Sequence, residues 1–183
     1  MTPAERAHAI NYLTETRENL LDSTIRLSQD QLQFKPAPDR WSVAECLEHI
    51  IVVENRILGR IAELAQGPAD TSKRSPFEGR DDSLAQIIAG RVDRFPAPEI
   101  LNPTGRWPYH RLLPEFRMAR GRSFDLASRV DADLRRCFFP HPVYGDLDCY
   151  QWLLLIPAHG ERHRAQAEEV MSTPSFPRAA ATR

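Results

Sequence analysis

Lysine is almost missing from this sequence. Of 24 basic residues in 183, only Lys35 and Lys73 are lysines, and the formal net charge is −1. A chain without a basic excess has nothing to draw it to a phosphate backbone, so nucleic acid is not an expected partner. Cysteine is scarce too. Cys46, Cys137 and Cys149 are odd in number and unpatterned, which argues against a disulfide framework and points to a reducing cytoplasm. Long apolar runs are absent. The longest, Leu153 to Ala158, is far too short to cross a bilayer, so no membrane partner is expected. The start, Met1-Thr2-Pro3-Ala4-Glu5-Arg6, leads straight into a polar helical pattern and lacks the apolar stretch of a signal peptide. No internal repeat, low-complexity tract or sustained strand alternation is found.

What the chain does contain is helical punctuation. Its 15 prolines fall almost entirely between apolar-periodic segments or in first turns, where a missing N–H costs little; Pro157 is the exception. A first helix is expected from Pro3 to Leu27, with Thr2 and Glu5 as a capping box and Ile10, Leu13, Leu20, Leu21 and Thr24 inward. A loop follows from Ser28 to Trp41. Ser42-Val43-Ala44-Glu45 reads as a second capping box. Behind it Val43, Cys46, Leu47, Ile50, Val53, Ile57 and Ile61 form one broad face that ends at Gly67-Pro68. Residues 66–83 read as loop, Leu84 to Val92 as a short helix, and Phe95 to Pro108 as a long irregular connection. A third helix is expected over Pro114–Arg136, with Phe116, Phe124, Ala127, Val130 and Leu134 inward. A turn at His141–Asp146 leads to a fourth helix over Asp148–Ser172. The expected domain therefore spans 1–172, with a frayed tail at 173–183. Four long amphipathic segments of similar length argue for an all-α four-helix bundle.

The chemistry lies in histidines. Trp152, Ile156, His159, His163, Gln166 or Ala167, and Val170 recur at steps of three or four, so His159 and His163 interrupt a buried stripe. Residues four apart on a helix sit about 5–6 Å apart at Cβ, close enough for two imidazoles to share an ion at about 2.0–2.1 Å each. His49 falls between Cys46, Ile50 and Val53 on the buried side of the second helix. A lone inward histidine is ordinarily a hydrogen-bonded core residue. Three of them on two long helices would each need a separate partner in a core without an ion. They are the candidate ligands of one divalent transition-metal ion. Glu161, two residues past His159, turns away from that face, so the segment is not a zinc-protease motif. Cys46 is a candidate fourth ligand or nearby thiol, against an inert buried Cys. Gln166 is a candidate second-sphere group, against a part-exposed Gln. Arg120 is a candidate contact for a substrate anion, against snorkelling to solvent. Glu54 is expected to pair with Arg17. His8, His110 and His141 receive no chemistry.

Trp41-Ser42-Val43-Ala44-Glu45 followed by His49-Ile50 resembles the second-helix signature of the DinB/YfiT-like superfamily. So do His141-Pro142, Gly145, His159, Arg162-His163 and Gln166, and the run Pro98, Pro103-Thr104-Gly105, Phe116-Arg117. The resemblance covers residues 5 to 171. It implies an up-up-down-down bundle with a long crossover, often a homodimer. It also implies that His49, His159 and His163 carry nickel or zinc, with iron, manganese or cobalt as further options. Relatives of that kind include S-transferases that use low-molecular-weight thiols, a mycothiol-dependent maleylpyruvate isomerase, and proteins labelled metal-dependent hydrolases. The expected function is activation of a low-molecular-weight thiol at the metal for attack on a small-molecule electrophile. The alternatives are hydrolysis by metal-activated water, or a non-catalytic metal- or ligand-binding bundle. Fold carries over between relatives better than activity does.

Overall fold

A computed structural model describes residues 1–90 and 98–178. Among them the chain is mostly helical, with one small two-stranded sheet. Four long helices, α1 (Pro3–Thr24), α3 (Val43–Leu64), α5 (Tyr109–Arg129) and α6 (Cys149–Met171), supply most of the packing; α2 (Gln29–Gln33) and α4 (Asp81–Ala89) are short. α6 packs on α1, α3 and α4, and α5 packs on α1 and α3.

The helix starts follow from local chemistry. Thr2, Ser42 and Asp148 each accept a bond from the backbone N–H three residues on. The side chains of Glu5, Glu45 and Gln151 return the bond. Each box satisfies two donors that a helix leaves unpaired and is worth about 1 kcal/mol. The first of these ends at Thr24 rather than Leu27. The short helix at 84–92 is found as Asp81–Ala89, its expected last two residues lying outside the described segment. Residues 95–97 of the long connection lie outside it as well.

Three expectations need correcting. The loop at 28–41 contains α2, started by a further box between Ser28 and Gln31. The third long helix spans Tyr109–Arg129 rather than 114–136. Pro114 is tolerated near its start, where burial of Leu112 and Phe116 holds the helix on both sides of the missing donor. Beyond Arg129 the chain turns extended at Val130 and then forms a 3-10 turn at Leu134–Arg136. The turn expected at 141–146 is the tip of a small hairpin in an otherwise mostly helical fold. β1 (Phe138–His141) and β2 (Gly145–Asp148) form an antiparallel hairpin, with Gly145 at φ +75°. That left-handed backbone suits glycine, which has no Cβ to clash. At the C-terminal end, residues 173–178 follow α6 as turns. Phe176 meets Phe34 edge-on at 5.6 Å, and the Gln31 side chain donates to the Pro177 carbonyl. Residues 179–183 of the expected tail lie outside the described chain.

Two apolar clusters fill the interior. One gathers Leu13, Ile57, Ile61, Leu134, Leu147 and Leu153; the other gathers Leu20, Leu47, Ile50, Ile51, Phe116 and Val170. Burying each such side chain contributes about 1.5–3 kcal/mol. Between the clusters runs a polar layer: Thr16 on α1, Glu54 on α3, Arg120 and Ser123 on α5, all buried. On α6 the same level, between Ala158 of one cluster and Ala167 of the other, carries His159 and His163. No helix among the described residues is long and apolar enough to cross a membrane.

Candidate metal centre

α3 and α6 pack directly on each other, and the three histidines face one another across that contact. One ligand atom from each of His49, His159 and His163 lies within 4.8 Å of those of the other two. Ring centroids are 4.4 Å apart for His159 and His163, 4.6 Å for His49 and His163, and 5.0 Å for His49 and His159. His49 and His163 are buried, while His159 keeps partial exposure.

The hydrogen bonds decide which nitrogen is available. His49 Nδ1 lies 2.8 Å from the Leu101 carbonyl oxygen. A carbonyl only accepts, so Nδ1 carries the proton and Nε2 keeps its lone pair. His163 Nδ1 lies 2.9 Å from Gln166 Oε1, again an acceptor, which frees His163 Nε2 in the same way. His163 Nε2 in turn lies 3.1 Å from His159 Nε2. Two imidazole nitrogens bound to one tetrahedral ion at 2.0–2.1 Å would be about 3.3 Å apart. Donor type, spacing and tautomer all fit a divalent ion. An outer partner that fixes the ring of a ligating histidine is the usual accompaniment of such sites.

Burial holds the His49 imidazole below its ordinary pKa, against the bond to Leu101, which pulls the other way. The His159 imidazole is pushed well below its ordinary value, first by burial and then by the neighbouring His163, His49 and Arg162. Both shifts favour the neutral ring that a metal requires. Trp41, the residue before the α3 cap, walls the cluster. Its ring lies 4.9 Å from that of His49 and stacks at 5.8 Å on that of His163.

The weaker sequence candidates are placed as follows. Gln166 orients His163 directly. Cys46 is buried in the core one turn before His49 and is not part of the converging set. Arg120 does not snorkel to solvent. It is wholly buried, because its guanidinium binds Glu54, the Leu13 carbonyl and Thr16 Oγ1. Glu54 therefore pairs with Arg120, and Arg17 instead contacts its neighbour Glu18. Glu161 pairs with Arg164. Two clefts, of about 490 and 450 Å³, border Asp148 and Tyr150 respectively at the start of α6. Asp148 and Tyr150 stand about 16 and 14 Å of helix rise from His159. The clefts' lining of mixed charge, including Lys73, Arg135, Asp70 and Glu78, belongs to loop and helix ends away from the histidines.

Sequence reasoning missed Glu48. Its carboxylate is buried beside His49 and accepts from the backbone N–H groups of Thr104, Gly105 and Arg106. Its place directly after Leu47 in the mostly apolar stretch Cys46–Val53 was the available signal.

The sequence profile of the DinB superfamily matches residues 12–167. The chain belongs to the DinB superfamily. This DinB-superfamily chain is also 25% identical, over 79% of its length and 85% of the relative's, to a Bacillus subtilis (strain 168) protein named "Uncharacterized protein YuaE". No solved structure matches. Membership and the three-histidine cluster together fit the binding of a divalent metal.

Proposed function

We propose that His49, His159 and His163 hold one divalent transition-metal ion through their Nε2 atoms, nickel or zinc first among the candidates, and that the site serves thiol-dependent S-transfer. The observation that carries the metal reading is the convergence of three imidazoles, two of them with Nδ1 turned outward onto fixed acceptors. A divalent ion supplies a Lewis acid that lowers the pKa of a thiol or water brought to it. Three neutral imidazoles leave the ion's double charge uncompensated, so the open position favours an anionic ligand such as a thiolate. Trp41 covers the His49 and His163 rings on one side of the cluster, and the part-exposed His159 would leave an approach for a small thiol and an electrophile. The preference for a thiol over water rests on family resemblance.

The experiment is turnover of metal-loaded protein with model electrophiles, with and without bacillithiol, mycothiol or glutathione. Product formed only with thiol and metal together supports S-transfer. Turnover without thiol that chelation abolishes moves the assignment to hydrolysis. Metal binding with neither activity moves it to a binding bundle.

The same reading includes an up-up-down-down bundle with a long crossover. Two features support it. Each of α1 and α3 packs on both α5 and α6, and the connection from α3 to α5 is long enough to run between bundle ends. A homodimer and a cytoplasmic location complete the proposal, the latter fitting three buried cysteines without a disulfide.

A further inference from the structure

The connection before α5 is fastened to α3 at two consecutive residues. Glu48 Oε1 accepts from Thr104 N–H at 2.7 Å, and its Oε2 accepts from Gly105 N–H at 2.9 Å and Arg106 N–H at 3.2 Å. The Arg106 guanidinium adds an ion pair at 3.6 Å. Consecutive backbone N–H groups that converge in this way form an anion-binding nest, here filled by the protein's own carboxylate. The nest depends on Gly105 at φ +74°, a conformation that side chains disfavour. Three residues upstream of Thr104, the Leu101 carbonyl accepts a hydrogen bond from His49 Nδ1–H. The Arg106 guanidinium also donates to the Ile100 carbonyl at 3.2 Å, so the turn at Glu99–Leu101 and the nest are tied together.

We propose that Glu48 is a positioning residue that latches the segment 99–106 onto α3 and thereby sets the tautomer and orientation of His49 for metal binding. This rests on His49 being a ligand. The latch works in both directions. With the segment seated, Leu101 holds the proton on Nδ1 and leaves Nε2 aimed at His159 and His163. An ion on Nε2 withdraws electron density from the ring and strengthens the Nδ1–H bond to Leu101, so occupancy tightens the segment.

The test uses the full chain and Zn(II) alone. Hydrogen exchange at the amides of 104–106 should slow at least tenfold when Zn(II) is added to the wild type. Glu48→Gln places an amide N–H₂ where backbone donors need an acceptor. It should release the segment, lower Zn(II) affinity about 10- to 100-fold, and turn the ring ¹⁵N signals of His49 from the Nδ1–H tautomer to a mixture. Gly105→Ala should produce the same changes from the loop side without touching α3. A purely structural role for Glu48 would lower thermal stability and leave the His49 tautomer unchanged, and that result overturns the proposal. Equal Zn(II) affinity in wild type and both variants overturns it too. A wild type that binds no Zn(II), Ni(II) or Co(II) overturns the metal reading itself and the latch with it, a failure distinct from binding without coupling.

Discussion

Arg120 and Glu54 meet in the middle of the helical core as a two-pronged pair, Nε to Oε1 at 2.9 Å and Nη2 to Oε2 at 3.2 Å, both side chains almost fully excluded from water. Ser123 Oγ also donates to Glu54 Oε1 at 2.7 Å, and the Arg120 guanidinium lies over the Phe116 ring. Taking the two charges out of water is costly, and only these added bonds make it tolerable. Removing one partner strands the other. Arg120→Met or Glu54→Leu alone should cost about 3–5 kcal/mol, whereas the double replacement should cost much less. Urea denaturation of the three variants measures this, and an additive double variant would contradict it.

His163→Ala should remove metal retention and leave helicity mostly intact. His163 lies between the two apolar clusters at the level of the polar layer, so its loss leaves the packing of α6 on α1 and α3 in place. Metal analysis of protein purified without a nickel column, beside far-UV circular dichroism, checks both halves. Unchanged metal content would refute the ligand assignment.

Metal retention should depend on pH with a set sign. The metal needs neutral rings, and burial already holds His49 and His159 below the ordinary histidine pKa. Protons therefore compete only weakly at pH 6.5, and release should come at lower pH. In the metal-free chain the unfolded rings take up protons near pH 6.5 while the folded ones do not, so stability falls as the pH drops below that value. Occupancy that stays constant down to about pH 4 would contradict histidine ligation.

His141 offers a separate titration at the hairpin. Its Nδ1 accepts from the N–H groups of Val143 and Tyr144, and its ring packs on Tyr144 and Trp152. Burial lowers its pKa to about 4. Protonation would put a proton on the nitrogen that closes the turn. A ring ¹H NMR titration should show a midpoint near 4, with stability lost as pH falls from about 6.5 through that midpoint, about 3 kcal/mol at most. A midpoint near 6.5 would mean that the ring is solvated.

The parts of this molecule that could be read from sequence are those written in local pattern. The cap at Ser42, the apolar face of α3 and the stripe through His159 and His163 each depend on residues within a turn of one another. That is why both helices and all three histidines came out in place. The hairpin was not legible, because its strands are four residues each and Pro140 interrupts the first. Arg120 was misread because a cation on an amphipathic helix looks the same whether it snorkels or pairs, and its partner lies 66 residues away. The role of Glu48 depends on backbone groups 56 to 58 residues distant, which no side-chain pattern records.

The two helices that supply the histidines, α3 and α6, lie far apart along the chain. An ion held between them would act as a reversible crosslink that exists only in the folded molecule, since an unfolded chain seldom brings His49 near His163. Each tenfold rise in free metal above the dissociation constant would then add about 1.4 kcal/mol to resistance against unfolding. The melting temperature would become a readout of metal supply.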